Sequence, residues 1–216
     1  TGDDYKFVFS GLQNEESIGN VIAGETYSGK YFELTDDISI SYIPVGNYNQ
    51  GKAFKGTLDG KNHTVHYLDY SENWDRGLFS CCNSATIKNL RVTGEIYGTE
   101  SLAGISAGAD NTTFENCIND VNIKSINAPY VAGISAKTYN CEFINCVNNG
   151  TINCGKNVAG GIAAWAEGDD SKLVGCRNNG YVSTSKDNAG GMVGEATGHV
   201  TVKQCERNAL IESGTV

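Results

Sequence analysis

Four cysteines recur at a regular interval and constrain the fold of this chain more than any other feature. Cys117, Cys146, Cys176 and Cys205 lie 29 or 30 residues apart, in short phrases such as NCIND and NCVNNG. A glycine followed by an aliphatic residue keeps a similar interval of 27 to 30 residues, at Gly77, Gly104, Gly133, Gly161 and Gly191. Self-similarity at such a period is typical of solenoids and related arrays.

The residues between these landmarks indicate strands. An aliphatic residue follows each cysteine after six positions, at Ile123, Ile152, Val182 and Ile211. An even offset places both residues on one face of an extended chain. Helical repeats are excluded, because the 18 glycines from Gly77 onward would each cost about 1 kcal/mol inside a helix.

We therefore predict an all-β fold, a single-stranded parallel β-helix that we expect to be right-handed. Residues 73–216 would form about five regular coils of 27–30 residues in one continuous domain with the preceding segment. Residues 1–72 break the period and hold seven of the 11 tyrosines, so we expect them to form an N-terminal cap and irregular first coils. Within this segment we predict a short helix from about Gln13 to Ala23 and a hairpin around Asp59-Gly60.

Stacked coils align equivalent side chains into ladders, and the repeat predicts which ones. We expect Leu90 to begin a buried column that continues through the four cysteines, which would be core thiols. A straight column of thiols cannot form a tetrahedral site, so we predict no structural metal. Asn119, Asn148 and Asn178 lie two residues after a cysteine, and we expect their amides to hydrogen bond between coils.

Charge excludes some classes of partner. The formal net charge is −9, and binding to nucleic acid or to an anionic membrane requires basic patches. There is also no apolar run of 18 residues that could span a bilayer. We therefore expect neither nucleic acid binding nor membrane insertion.

A family resemblance is carried by a series of short motifs in a particular order. The run GKYFELTDDISI, IPVG, FKGTLDGKNHTV, RGLFS and ATIKNLRVTGEI precedes AGI and NCxNxG repeats. In this order the chain resembles the GLUG-motif β-helix regions of bacterial cell-surface proteins. The resemblance implies an extracellular location, at the cell surface or secreted, because such regions belong to large exported proteins that include proteases and adhesins.

The spacing of the landmarks argues against catalysis. Coil segments vary by only one or two residues, and we expect such short loops to build no walled cleft of the kind that polysaccharide-degrading β-helices use. We therefore predict a non-catalytic adhesion or interaction module whose partner is a host or cell-surface glycan or protein, alongside further domains of the same polypeptide. The alternative is a carbohydrate-active enzyme or its polysaccharide-binding accessory domain, and the third is a structural stalk.

Two groups of residues are candidate ligand sites. A two-residue insertion in the fourth coil predicts a bulge that presents Trp165, Glu167, Asp169 and Asp170, where an exposed tryptophan beside carboxylates suits a sugar or a protein. A packing role for Trp165 is the other interpretation. The cap offers a second surface at Tyr42, Tyr48, Tyr67 and Tyr70. We expect no cofactor, although Asp36-Asp37 or Asp169-Asp170 could hold calcium.

Overall fold

The computed structural model describes residues 7–8, 27–40, 52–68 and 75–214, and these ranges contain strands, turns and irregular segments. The strands before residue 75 are β1 (Phe7–Val8), β2 (Tyr31–Glu33), β3 (Ile38–Ile40), β4 (Thr57–Asp59) and β5 (Thr64–Tyr67). The next eleven are β6 (Phe79–Asn83), β7 (Thr86–Lys88), β8 (Arg91–Gly98), β9 (Leu102–Ala103), β10 (Ser106–Asp110), β11 (Thr113–Glu115), β12 (Ile118–Ser125), β13 (Tyr130–Ala132), β14 (Ser135–Tyr139), β15 (Glu142–Ile144) and β16 (Val147–Asn148). The last eleven are β17 (Ile152–Cys154), β18 (Val158–Gly160), β19 (Ala163–Glu167), β20 (Lys172–Val174), β21 (Arg177–Asn178), β22 (Val182–Thr184), β23 (Ala189–Gly190), β24 (Val193–Thr197), β25 (Thr201–Lys203), β26 (Glu206–Arg207) and β27 (Ile211–Ser213).

These strands form four sheets that run along one solenoid. The five-stranded sheet is ordered β24-β19-β14-β10-β6, the four-stranded sheet β23-β18-β13-β9, and the eight-stranded sheet β1-β2-β4-β7-β11-β15-β20-β25. The ten-stranded sheet contains β3, β5, β8, β12, β16, β17, β21, β22, β26 and β27. From β6 onward each coil contributes to every sheet in turn and pairs in parallel with the coils beside it, whereas β1 to β5 belong to the eight-stranded and ten-stranded sheets alone. The predicted parallel β-helix is therefore confirmed.

Asparagines turn one corner of each coil, between the eight-stranded and ten-stranded sheets. Asn89, Asn116 and Asn145 have positive φ angles of 51°, 52° and 52°, a conformation that asparagine adopts more readily than most residues. Gly175 takes this corner in the following coil, with φ of 67°. The corner is an exposed amide ladder as well, because Asn116 Nδ2 donates to Asn89 Oδ1 over 3.2 Å.

The core is a narrow column of stacked aliphatic and aromatic side chains. Ile96, Ile123 and Ile152 are in register across β8, β12 and β17, as their offset from the cysteine positions predicts. The rings of Phe114 and Phe143 stack with centroids 5.1 Å apart. Both rings are fully buried, so parallel pairing and side-chain packing reinforce each other along the axis.

The cysteine column lies inside this core, as predicted. Leu90, Cys117, Cys146 and Cys176 are buried, whereas Cys205 of the last coil is half-buried. Each ladder thiol donates to a backbone carbonyl of the preceding coil, for example Cys146 Sγ to Phe114 O over 3.3 Å. None of the eight cysteines is in a disulfide.

The asparagine ladder is also present, and it explains three of the landmark glycines. Asn119 Nδ2 donates to Asn148 Oδ1, and Asn148 Nδ2 donates to Asn178 Oδ1, both over 2.7 Å and fully buried. These amides fill the space beside three of the five landmark glycines, Gly104, Gly133 and Gly161. A Cβ on Gly133 would lie 2.6 Å from Asn148 Oδ1 and 2.2 Å from Gly161 O, so only glycine fits there.

Two expectations for the N-terminal segment have different outcomes. The hairpin is wrong: β4 and β5 flank Asp59-Gly60 but belong to different sheets, where β4 pairs with β2 and β7, and β5 pairs with β3 and β8. Parallel pairing with neighbouring coils buries both strands, which a two-stranded hairpin would not. The helix predicted from about Gln13 to Ala23 lies outside the described residues.

The last described coil is less covered than the others. Met192, Val193, Val200 and Ile211 pack on the core but are only partly buried, and Val202 is 49% exposed. Within the part of the chain that the structure describes, no helix is long and apolar enough to span a membrane.

Candidate functional site

The outer face of the five-stranded sheet gathers polar and aromatic side chains into two rows. One row consists of the residues in register at the fourth position after each landmark glycine: Cys81, Gly108, Lys137, Trp165 and Glu195. The other row takes the sixth position: Asn83, Asp110, Tyr139, Glu167 and Thr197. Parallel pairing sets consecutive members of a row about 4.8 Å apart.

Trp165 lies within this face and does not bulge from it. The residue sits inside β19, in register with Lys137 and Glu195. The two inserted residues are accommodated after the strand, where Gly168 has a φ of 98°. The predicted bulge is therefore wrong for Trp165, because its strand pairs on both sides and the turn alone absorbs the extra length.

The indole ring of Trp165 is engaged by neighbours from the protein. It stacks on Tyr130 with centroids 5.5 Å apart and an interplanar angle of 16°. The Lys137 ammonium lies 4.9 Å from the ring centroid, in a cation–π contact. The indole Nε1 donates to Thr197 Oγ1 over 3.3 Å. These contacts support the packing interpretation of this side chain.

A groove of about 220 Å³ lies beside Trp165 on the same face. Its walls come from five neighbouring coils, and the lining residues are Ala53, Lys55, Cys81, Cys82, Asn83, Gly108, Ala109, Asp110, Lys137, Thr138, Tyr139 and Glu167. Tyr139 presents an aromatic ring that is 45% exposed. The groove thus combines two lysines, two carboxylates and an accessible tyrosine, which can together donate, accept and stack.

Asp110 and Glu167 supply the two carboxylates of the groove. Among the described residues, no side chain or backbone N–H donates to the carboxylate of Asp110 or Glu167, and neither forms an ion pair. Partial loss of water raises the pKa of the Asp110 carboxyl, and Lys137 opposes this shift. Both groups can therefore accept hydrogen bonds from a ligand.

Asp169 and Asp170 lie in the turn after β19, where the Asp169 side chain and the Asp170 backbone contact different partners. Asp169 Oδ1 is 2.9 Å from His199 Nδ1, and hydrogen bonds from His199 lower the pKa of Asp169. The backbone N–H of Asp170 donates to Asn140 Oδ1 over 3.3 Å. In residues 27–40, 52–68 and 75–214, no group of three or more His, Cys, Asp or Glu could hold a metal ion.

The first aspartate pair is used by a turn. Asp36 Oδ1 accepts from the backbone N–H of Asp37 over 2.8 Å, and Asp37 Oδ1 accepts from the N–H of Thr64 over 2.7 Å. The Asp37 carboxylate thus connects consecutive coils, whereas that of Asp36 stays within its own turn. Calcium binding at either aspartate pair stays a prediction.

The predicted tyrosine surface does not include Tyr67. This side chain is 2% exposed and its hydroxyl donates to Gly104 O over 2.7 Å, so it is a core residue with a satisfied polar end. The prediction was wrong for Tyr67 because alternate residues of a strand face the core, and Tyr67 is on the inward side of β5. Tyr42, Tyr48 and Tyr70 lie outside the described residues.

A buried carboxylate anchors the outer side of the first coils. Asp59 is 4% exposed and accepts from Tyr31, from the Lys61 backbone and from Asn89, over 2.9 to 3.0 Å. Burial opposes its ionisation, but these donors outweigh burial and lower the pKa of Asp59 to about 2. Lys61 and Lys88 lie within 3.7 Å of the carboxylate. Every oxygen is satisfied, so the cluster is structural.

Asp110, Lys137 and Tyr139 were missed as site residues by sequence reasoning. A signal for them was available, because they stand at the fourth or sixth position after a landmark glycine, as Trp165 and Glu167 do. Reading the outer rows of the repeat together with its inner ladders would have placed them beside each other.

Comparison with known proteins supports the fold. No protein-family model matches the chain, and no curated protein matches it. A crystal structure of a putative immunoglobulin A1 protease from Bacteroides ovatus is similar, with a TM-score of 0.73 and 17% sequence identity. The similarity covers 97% of this chain and 67% of that chain. At this identity the likeness shows the shared parallel β-solenoid fold.

Proposed function

We propose that this chain is a non-catalytic, extracellular interaction module that binds a glycan or a protein on the outer face of the five-stranded sheet. The observation that carries the proposal is the groove beside Tyr139, where the carboxylates of Asp110 and Glu167 lie on paired strands and accept no hydrogen bond from the described residues. Because each strand pairs with the coils on both sides, such a face is already ordered before binding.

The setting of the three histidines supports a role without catalysis. The Nδ1 atoms of His63, His66 and His199 lie 3.4 Å from Asp37, 2.9 Å from Thr93 Oγ1 and 2.9 Å from Asp169, respectively. In the described ranges, no histidine ring joins a carboxylate to a hydroxyl or thiol, as a Ser-His-Asp or Cys-His-Asp arrangement requires. The turns between strands are also short, which favours surface binding over an enclosed reaction site.

Two similarities support the proposal that this protein is exported. The motif order resembles GLUG-motif regions of bacterial cell-surface proteins, and the structural neighbour is named for activity on immunoglobulin A1. We infer from them that this module acts outside the cell, at the cell surface or as a secreted protein. The third alternative, a structural stalk, needs no binding face and would leave the groove residues without a role.

Binding of the purified chain to a glycan array and to immobilised cell-surface glycoproteins tests this function, with and without calcium. We expect binding to at least one of them, and binding to neither would contradict the proposal. Release of products from the bound glycan or protein would favour the enzyme alternative. An effect of calcium would support a metal site at Asp36-Asp37 or Asp169-Asp170.

Trp165→Ala distinguishes a ligand contact from packing. Because the indole contacts Tyr130, Lys137 and Thr197, we expect the variant to lose roughly 1–2 kcal/mol of stability. Binding measured well below its melting temperature should be largely retained. Loss of binding at an unchanged melting temperature would instead identify Trp165 as the contact.

A further inference from the structure

We propose that the groove on the five-stranded sheet binds a segment of neutral oligosaccharide. In this site Tyr139 is the stacking platform, and Asp110 and Glu167 accept hydrogen bonds from sugar hydroxyls. The inference rests on the proposed function, because it names the ligand class of the same face.

The groove carboxylates accept no hydrogen bond from the described residues, unlike the carboxylates of Asp120 and Glu206 elsewhere on the solenoid. Asp120 accepts from Arg91 and Asn149, and Glu206 accepts from Arg177. No donor from the described residues reaches the carboxylates of Asp110 or Glu167. Carboxylates are strong acceptors that suit the vicinal hydroxyls of a sugar, since a hydroxyl donates one hydrogen bond and a carboxylate accepts several.

The register places the platform between the two acceptors. Asp110 pairs with Tyr139 in β10 and β14, and Tyr139 pairs with Glu167 in β14 and β19. Each step along the solenoid is about 4.8 Å. A sugar ring seated on Tyr139 therefore has one carboxylate a single step away on either side, along the solenoid axis.

Tyr139 is better suited than Trp165 to stack against a ligand. Its ring is 45% exposed, and no aromatic or cationic neighbour among the described residues covers it. The Trp165 ring already contacts Tyr130 and Lys137. The apolar face of a sugar can pack on an accessible aromatic ring while its hydroxyls bond to polar groups around the rim.

The charges of the groove select a neutral ligand. Lys55 and Lys137 balance Asp110 and Glu167, so the site has no excess of either sign. The whole chain carries a net charge of −9, which disfavours approach of a polyanion. Lys137 and Lys55 can still donate to ring or hydroxyl oxygens, so donors and acceptors are both available.

The test is calorimetric titration of the full chain with cellohexaose, maltohexaose and N-acetylchitohexaose, with hexagalacturonate as the anionic comparison. We expect at least one neutral hexasaccharide to bind more tightly than hexagalacturonate. Tyr139→Ala should weaken that binding by about tenfold or more, and Asp110→Asn should weaken it severalfold.

The matched control is Tyr97→Ala, because Tyr97 is 46% exposed and lies in β8 of the ten-stranded sheet. It should leave binding unchanged, and the melting temperature of each variant verifies folding. Preference for hexagalacturonate, no binding of any sugar, or equal loss in the Tyr97 and Tyr139 variants would overturn the inference.

A second arm separates this inference from the proposed function. The chain is applied to immobilised cell-surface glycoproteins before and after enzymatic removal of their glycans. Undiminished binding after glycan removal would overturn the sugar site but leave the interaction module standing. No binding to either surface, together with no binding in the titrations, would contradict both the sugar site and the proposed function.

Discussion

Asn148 shows how much a single amide contributes inside a stack of coils. It accepts from Asn119, donates to Asn178, both over 2.7 Å, and donates to Gly150 O over 3.0 Å. The adjacent Asn149 belongs to an exposed ladder instead, where its amide donates to Asp120 over 2.7 Å and accepts from Asn179. Asn148 therefore belongs to a buried ladder and its neighbour Asn149 to an exposed one.

We predict that Asn148→Ala lowers the free energy of unfolding by roughly 2–4 kcal/mol, because two other amides lose a partner in the core. Asn149→Ala is the control and should cost about 0.5 kcal/mol or less, since water replaces its bonds. Urea unfolding of both variants measures the difference. Equal losses would show that the buried ladder has no special role.

Asp59 makes the free energy of unfolding depend on pH in the acid range. Its pKa is lowered from 3.8 to about 2 by folding, so its contribution is complete above pH 4 and is lost as pH falls through about 2. We predict that wild type exceeds Asp59→Asn in stability by roughly 1–2 kcal/mol at pH 7. The gap should shrink between pH 4 and pH 2 in urea titrations, and a constant gap would contradict this account.

At the scale of the elements, the inner ladders could be predicted from their repeated residue types, whereas the outer rows are marked only by their position after the landmark glycines. The period of Cys117, Cys146 and Cys176 fixed which residues stack, because burial imposes the same side chain on successive coils. Asp110, Tyr139 and Glu167 share a row but not a residue type, so no repetition marks them. The hairpin prediction at Asp59-Gly60 was wrong for a physical reason. A corner between two sheets of the solenoid needs the same tight turn as a hairpin, so the turn residues alone do not distinguish them.

The landmark glycine and the asparagine ladder act as one structural unit. We predict that Gly133→Ala lowers stability by roughly 2–3 kcal/mol, because the new Cβ would press on Asn148 Oδ1 and on Gly161 O. Thermal and urea unfolding measure the loss. An unchanged midpoint would show that the coils can separate locally to admit a side chain.

At the scale of the whole molecule, the solenoid buries seven of its eight cysteine thiols. Burial raises the pKa of Cys141 to about 12, and it also raises the pKa of Cys82 and Cys146. Cys205, in the less covered last coil, is only half-buried. Thiolates are the reactive form, so reactivity should follow exposure along the stack.

We predict that iodoacetamide at pH 8 alkylates Cys205 first and the seven buried cysteines only after unfolding. Mass spectrometry of peptides from timed reactions measures the order. Fast alkylation of Cys117 or Cys146 in the folded chain would contradict the buried column. Cysteines that resist alkylation even in denaturant would indicate disulfides.

The central claim is that this solenoid acts through one face, the outer side of the five-stranded sheet. Hydroxyl-radical footprinting of the chain on immobilised cell-surface glycoproteins tests it directly. We predict protection of Tyr139 and Lys137, with Tyr97 in β8 and Tyr181 just before β22 unchanged. Protection of Tyr97 and Tyr181 with Tyr139 still accessible would contradict the account.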